Sequence, residues 1–419
     1  MAADNNLKVY SYRWIVLAVF MAVVMVNQLA WITFAPITGV AAKYYGVSDL
    51  SIGLLSMSFM LVYIFVSIPA SWTIDTRGFR VGVGIGAALT GIFGMLRGLG
   101  GDNYTLVLIS QIGIAVGQPF ILNALTKVAA RWFPLRERAT ATGLGTLAMY
   151  IGIVAGMVLT PFLVLRSNIT AMLTAYGVAA LLAGILFLVF SRERPPTPAN
   201  PADQEERSLV FDGLKHMLRM KDFILLLLIF FFGLGVFNSV TTWIEDILRP
   251  RGFSIVQAGA VGGLMVFGGI LGAVILPLLS DHYRRRVPFI ILAFIAAIIG
   301  LVGITFALNY PLLLLSAFVM GFFLLSAGPI GFQYGAEITF PDPEGTSNGM
   351  LLLMGQISGI LFIIGMDSLK DPATGSMTAS LVGLAGLLVV GLLLSTRLKE
   401  STLLSGQKGP VSQPNPAPK

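Results

Sequence analysis

Long apolar runs follow one another along this chain, separated by short polar interruptions, from Trp14 almost to Ser395. A helix needs about 20 apolar residues to cross a hydrocarbon layer, because every backbone N–H and C=O must find its partner inside the segment. Twelve stretches meet that requirement. The first six spans are predicted at Trp14–Ile37, Leu50–Ile74, Val81–Leu99, Tyr104–Ala130, Ala139–Leu165 and Ala171–Phe190. The second six are predicted at Phe223–Ile247, Val256–Leu279, Phe289–Leu308, Pro311–Ala336, Thr346–Asp367 and Met377–Ser395. Between them, Ser191–Lys221 is rich in Pro, Asp, Glu, Arg and Lys and reads as a solvated connector. The stretch after Thr402 reads as a disordered tail. The expected organisation is an N-terminus of residues 1–13, a six-helix half over 14–190, the connector 191–221, a second half over 222–396 and a tail over 397–419.

The first run follows Lys8 and Arg13 as a signal peptide would, but it is long, holds Asn27, Gln28 and Trp31, and lacks a small-residue cleavage pattern, so it is read as a retained helix. Composition agrees with a bilayer environment: 56% of residues are hydrophobic and 11% charged, against roughly 25% charged in an average soluble domain. The net charge of +7 points to no nucleic-acid surface, because the basic residues sit in the gaps between runs. Their distribution predicts orientation instead. With both termini on one side, 20 Lys and Arg fall on that side and 6 opposite (Lys43, Arg97, Arg166, Arg249, Arg251, Lys370), with Lys127 inside span four. Short cytoplasmic loops carry such an excess, so both termini are expected to be cytoplasmic. Cysteine is absent and His216 and His282 are the only histidines. Disulfides, thiol chemistry and Cys/His metal sites are thereby excluded, and no cofactor or metal is expected.

The two halves repeat each other. Asp75-Thr-Arg-Gly-Phe-Arg80 after span two corresponds to Asp281-His-Tyr-Arg-Arg-Arg286 after span eight, 206 residues on. Phe133-Pro134 and Gly143 after span four correspond to Phe340-Pro341 and Gly349 after span ten, at offsets of 207 and 206. Repeated six-helix halves are a transporter architecture.

These residues resemble the major facilitator superfamily, whose signature between the second and third spans has an Asp, a Gly and basic residues in this order. Within it, the chain is similar to the feline leukaemia virus subgroup C receptor family, described as choline and ethanolamine transporters and, earlier, as haem exporters. Four stretches carry the resemblance. They are Val26-Asn27 with Trp31-Ile32; Leu55-Ser-Met with Met60-Leu-Val-Tyr63 and Pro69-Ala-Ser-Trp72 leading into Asp75-Thr-Arg-Gly78; Gln118-Pro-Phe-Ile-Leu122; and Glu337-Ile-Thr-Phe-Pro341 with Glu344-Gly-Thr-Ser347 and Gln356. The resemblance implies an all-α membrane protein of the superfamily fold, with 12 transmembrane helices in two pseudo-symmetric halves. It also implies that an ammonium head sits against Trp31, helped by Gln118, Gln356 and a tyrosine of span seven. That tyrosine position corresponds to Asn238 here, so an aromatic wall is missing. Trp243 lies five residues further, about 7.5 Å along a helix, and cannot simply replace it.

The resemblance further implies that spans one, four, seven and ten line a central path. Asn27, Gln28, Gln118, Asn123, Asn238, Thr241, Thr242, Gln333 and Gln356 fall on spans one, four, seven, ten and eleven, whereas spans nine and twelve are almost wholly apolar and are expected to face lipid. A neutral polar path suits a zwitterion, a cation held by π-faces or an amphipathic molecule. Trp31 is also of a type common in interfacial belts, and the two glutamines also suit helix-to-helix hydrogen bonds. Asp75, Arg77 and Arg80 are expected to form a gate: the carboxylate can take N–H groups of a helix N-terminus and pair with Arg, latching the halves when the outside is open. Asp281 with Arg284 and Arg285 is the second copy of that gate. Glu337 and Glu344 read either as solvated loop acids or as partners of Arg131, Arg136 and Arg138 across the halves. Gly82/Gly86, Gly152/Gly156, Gly268/Gly272 and Gly355/Gly359 read as close-packing positions.

No Asp or Glu lies near the centre of spans one, four or ten. Proton-coupled carriers generally keep such a carboxylate, so facilitated diffusion of a small organic solute by alternating access is the expected function. Proton symport or export of another solute is the alternative within transport; a non-transporting receptor is the alternative from another class. The expected setting is a monomer in the plasma or cytoplasmic membrane. No Ser/His, Asp/Asp or His/Glu constellation inside the spans supports an enzyme.

Overall fold

The computed structural model of the chain describes residues 9–197, 216–307, 309–340 and 344–401, with the side chains of Leu135, Arg136 and Glu344 outside the description. Most of the connector and the tail therefore lie outside the described residues. Among those described, 12 helices are long and apolar enough to cross a membrane. They are Arg13–Tyr45, Asp49–Arg77, Phe79–Leu99, Tyr104–Trp132, Glu137–Arg166, Ile169–Phe190, Lys221–Thr242, Ile255–Tyr283, Val287–Phe306, Tyr310–Thr339, Thr346–Ser368 and Thr378–Ser395. Several helices outrun the predicted apolar limits, because capping and charged residues carry the helix past the hydrophobic stretch. Spans nine and twelve turn Ile299 and Leu393 outward, 63% and 60% exposed. The face carrying Tyr12 and Ser395 is called the terminal face below, and the opposite one the distal face.

The repeat read in two loops extends to the hydrogen bonds that start and stop the helices. Ser48 caps span two by accepting from Ser51 N, and Ser254 caps span eight by accepting from Gln257 N. Asn103 caps span four and Asn309 caps span ten in the same way, through Leu106 N and Leu312 N. The Tyr104 hydroxyl donates to Ser51 O and the Tyr310 hydroxyl to Gln257 O. Each of these pairs is separated by 206 residues. An N-cap oxygen satisfies one of the N–H groups that a helix start leaves bare, so these positions fix where each span begins in both halves.

On the terminal face, Gly78 and Arg284, again 206 apart, both have positive φ, at 92° and 51°. Past each, a carboxylate takes the first N–H groups of the next span. Glu193 accepts from Phe79 N (3.2 Å) and Arg80 N (2.8 Å), and Glu400 from Arg286 N (3.0 Å) and Val287 N (3.0 Å). Arg284 has a Cβ in a conformation that costs an L-residue about 1–2 kcal/mol. Arg284→Gly is therefore expected to raise stability by roughly 0.5 kcal/mol once glycine's unfolded-state entropy is subtracted. Gly78→Ala does the opposite, because its Cβ would strike the Glu193 carboxylate. Thermal unfolding of the two variants in detergent checks both signs.

Glycine lets the spans approach. A Cβ on Gly86 would lie 2.6 Å from Gly117 O, joining spans three and four, and Gly152 and Gly156 pack on Met25 and Leu29 of span one. The same device joins the halves. Gly259 and Gly262 of span eight pack on Met157 of span five, Gly359 of span eleven on Met60 of span two, and Gly53 of span two on the Trp243 indole. One cluster of buried apolar residues accordingly runs from Trp31, Met57, Met60 and Met157 into Val240, Trp243 and Met265.

Candidate functional site

Three spans are interrupted within their length. Span one ends its first helix at Ile32, passes through a tight turn at Ala35–Ile37 containing Pro36, and restarts over Thr38–Tyr45. Pro36 has no N–H to give, so the ladder cannot run on through this point. Side chains bind carbonyls of the last turn before it: Thr33 Oγ1 donates to Leu29 O (2.8 Å), while Arg97 Nη1 and Gln111 Nε2 both donate to Ala30 O (3.1 Å each). Span four breaks after Leu122 and resumes at Leu125. There Asn123 donates to Ser67 Oγ and Ser71 Oγ (3.0 Å each) and accepts from the Tyr63 hydroxyl (2.8 Å). The chain expected to form one helix over Phe223–Ile247 breaks at Trp243, between Lys221–Thr242 and Ile244–Leu248. Apolar length alone does not mark this break, which Thr241, Thr242, Glu245 and Asp246 flank. Interrupted helices at mid-depth are where transporters of this kind place solute sites, because irregular backbone offers unpaired polar groups away from water.

Trp31 lies at the break in span one. It is 8% exposed, and its indole N–H is buried without a hydrogen-bond partner among the described residues. Gln118, 7% exposed, and Gln356, half-buried, likewise make no hydrogen bond among the described residues. Asn238, half-buried on span seven, donates to Gly355 O on span eleven (3.1 Å). Three further residues considered from the sequence, Asn27, Gln28 and Trp243, face protein. Asn27 is fully buried and donates to Thr90 Oγ1 (3.1 Å), tying span one to span three, and Gln28 donates to its Oδ1. Trp243 is fully buried, and its indole N–H donates to Ile363 O (3.1 Å). Gln333 is exposed and donates to Glu337. Tyr150 of span five is a residue that the polar pattern of the sequence does not single out: it is half-buried against the cluster holding Trp31 and stands 206 residues before Gln356. That offset is the signal that could have found it.

At the distal face a charge cluster joins the halves. Arg249 pairs with Asp49 (2.7 Å), Glu245 (3.3 Å) and Asp246, and Lys370 pairs with Asp49 and Asp246 (2.7 Å each). Gly39 N donates to Glu245 Oε2 (2.9 Å). Gly39 and Asp49 belong to the first half and the other four to the second. Burial disfavours the Lys370 ammonium, but its bonds to Asp246 and Asp49 more than offset this and hold it above the ordinary lysine range. Burial pushes the Glu245 carboxyl up, against the pull of Arg249 and the Gly39 N–H. A raised carboxyl contributes stability that is complete below its ordinary value near 4.5 and is lost as pH rises through the raised one.

On the terminal face, Asp75, Asp281 and Glu337 pair inside their own halves. Asp75 is bound by Lys127 (2.7 Å), while the N-terminus of span three that it was expected to cap is taken by Glu193. Arg80 reaches Leu188 O (3.2 Å) and Arg77 is exposed. The partner of Asp281 is Arg286, which also holds Glu337 (3.0 Å). Arg284 and Arg285 are exposed, because the left-handed turn at Arg284 ends the helix and leaves Arg286 as the first residue directed back into the bundle. Burial disfavours the Arg286 guanidinium, yet the two carboxylates hold it above the ordinary arginine range. Arg131 sits in the last turn of the second piece of span four, and Arg138 donates to Ala130 O (3.3 Å). The side chains of Arg136 and Glu344 lie outside those described.

The family model for the Major Facilitator Superfamily matches residues 20–363. The chain is 29% identical to Choline/ethanolamine transporter flvcr2b of Danio rerio over 94% of this chain and 84% of the relative. It is 31% identical to Solute carrier family 49 member A3 of Danio rerio, over 88% and 81% respectively. It is 29% identical to Choline/ethanolamine transporter FLVCR2 of Homo sapiens, over 87% and 73%. By fold it resembles a bacterial homologue of the human lysosomal transporter Spinster, solved inward-facing and unoccupied (TM-score 0.73, 17% identical, 93% of this chain and 98% of that one). It also resembles a D-xylose-proton symporter (TM-score 0.69, 16% identical, 94% and 99%).

Proposed function

The chain belongs to the major facilitator superfamily, and on that premise we propose that it moves a choline-like or zwitterionic metabolite across the plasma or cytoplasmic membrane by facilitated diffusion. The observation that carries this reading is a set of unpartnered neutral groups on spans one, four and eleven. Trp31 stands at a helix break with its N–H unpartnered among the described residues, Gln118 and Gln356 are unpartnered there as well, and spans one and four contain no carboxylate. A quaternary or primary ammonium is attracted to an indole face by the ring quadrupole, and neutral amides and an indole N–H serve the hydroxyl or carboxylate at its other end. The choline/ethanolamine transporters of Danio rerio and Homo sapiens are similar to this chain over most of its length, which supports the same solute class here. The terminal face is taken as cytoplasmic on the charge distribution. The distal cluster then acts as the outer gate: in this arrangement it joins Asp49 to Arg249 and Lys370, and it must come apart for solute to enter from outside.

A solute that binds only the folded protein raises its stability by about 2.7 kcal/mol at one hundred times its Kd. Titrating purified protein with choline, ethanolamine and a sugar control should give a saturable rise in melting temperature for the amines alone. A rise with the sugar and none with the amines overturns the proposed solute class. One observation favours proton coupling as the second reading, namely the buried Glu245 whose carboxyl is pushed up beside the outer gate. Under that reading uptake follows an imposed pH gradient.

A further inference from the structure

The charge count along the sequence puts Arg97 among the solvated residues of the distal loops. The structure buries it. Arg97 is 1% exposed, and among the described residues its side chain bonds to an amide and a carbonyl rather than to a carboxylate. Its Nη1 donates to Gln111 Oε1 (2.6 Å) and to Ala30 O (3.1 Å), and Gln111 Nε2 closes the triangle on the same Ala30 oxygen (3.1 Å). Its Nε is buried without a partner among the described residues. An ionised side chain inside a membrane-spanning bundle is costly, and a role is expected of it.

We propose that Arg97 and Gln111 are positioning residues for the solute site, fixing the orientation of Trp31. The proposal rests on the reading that Trp31 contacts the solute. The carbonyl they hold belongs to the peptide plane that carries the Trp31 N–H, so two bonds to Ala30 O fix the plane from which the indole projects. That plane lies two residues before the helix stops at Ile32, where the backbone ladder no longer holds it.

The second half has no such triangle. At 206 residues further, Arg97 corresponds to Gly303, Gln111 to Ala317 and Ala30 to Val236. There the helix runs on to Thr242, so Val236 lies six residues inside it, and spans nine and ten close on each other so tightly at Gly303 that a Cβ there would strike Ser316 Oγ. The triangle belongs to the half whose leading helix stops one residue after a tryptophan; Phe237 stands at the position corresponding to Trp31.

The test uses full-length protein containing 5-fluorotryptophan at its 5 tryptophans, with the Trp31 fluorine resonance assigned by its loss in Trp31→Phe. Wild type should show one sharp Trp31 line. Arg97→Met and Gln111→Met should each split or broaden that line while leaving the other four in place, and Arg97→Lys, which keeps one donor, should recover it in part. Choline titration on the same signal should show affinity weakened about two- to tenfold in Gln111→Met, the cost of ordering on binding an indole no longer fixed beforehand. An unchanged Trp31 line in folded Gln111→Met protein, or an equal disturbance of all five lines, overturns the proposal. If choline leaves the wild-type line unmoved, the solute reading fails instead, and the ligand-free spectra still decide whether the triangle holds Trp31. Should Arg97→Met not fold, the Gln111→Met spectrum alone decides.

Discussion

Asp246→Ala is expected to open the distal face. Asp246 is fully buried and touches both Arg249 and Lys370; the two cations otherwise share Asp49, and Arg249 alone binds Glu245. Removing one partner of a buried charge pair leaves the others desolvated and uncompensated, at a cost of about 3–5 kcal/mol. Because Arg249 and Lys370 keep other carboxylates and part of their hydration, the lower end applies, which is a shift of roughly a hundredfold in the closed-to-open ratio. The absence of cysteine makes this measurable without background labelling. Spin labels at Lys43→Cys and Ala373→Cys, both exposed on the distal face but in opposite halves, should move from a short to a long distance in Asp246→Ala. The terminal-face control Asp281→Ala should not move them, since Asp281 pairs with Arg286 of its own half. An unchanged distance distribution in Asp246→Ala would show that glycine-mediated packing, not charge, closes this face.

The second large effect concerns Trp31. Simple truncation to alanine would also remove a buried aromatic from the core, costing about 3–5 kcal/mol of stability, so Trp31→Leu is the informative change. It keeps apolar bulk and discards the π-face and the N–H. A desolvated cation–π contact is worth about 2 kcal/mol or more, so choline affinity should fall by about thirtyfold or more. Trp31→Phe should lose less, and Gln118→Ala about tenfold, as for a single hydrogen bond to a charged or polar solute group. Trp31→Leu binding choline as wild type does would remove the indole from the site.

How much of this is visible in the sequence depends on whether the feature is local. Span number and the repeat are set by apolar length and by residues within a few positions of each helix end, so both can be read along the chain. The glycine pairs are legible for the same reason, since only a missing Cβ allows Gly86 to meet Gly117. The breaks in spans one and seven are not read from apolar length, which runs past Pro36 and Trp243 without showing where each helix stops. Trp243 lies five residues from Asn238 in span seven, and only the bond from its N–H to Ile363 O shows that it faces protein. Arg97 sits one turn from the polar end of its span, and sequence alone cannot separate a solvated arginine from one turned inward onto Ala30 O. The distal cluster is hidden most completely. Asp49, Arg249 and Lys370 come from three different spans, and each by itself is an ordinary helix-end charge.

Uniport is proposed here on three grounds: the distal gate, the tryptophan site and the absence of a carboxylate in spans one and four. The measurement that tests this most directly is uptake of radiolabelled choline into proteoliposomes holding the purified protein, with and without an imposed pH gradient. Saturable uptake that runs equally in both conditions, and is lost in Trp31→Leu, is the predicted result; uptake that appears only with the gradient, or is absent in both, contradicts it.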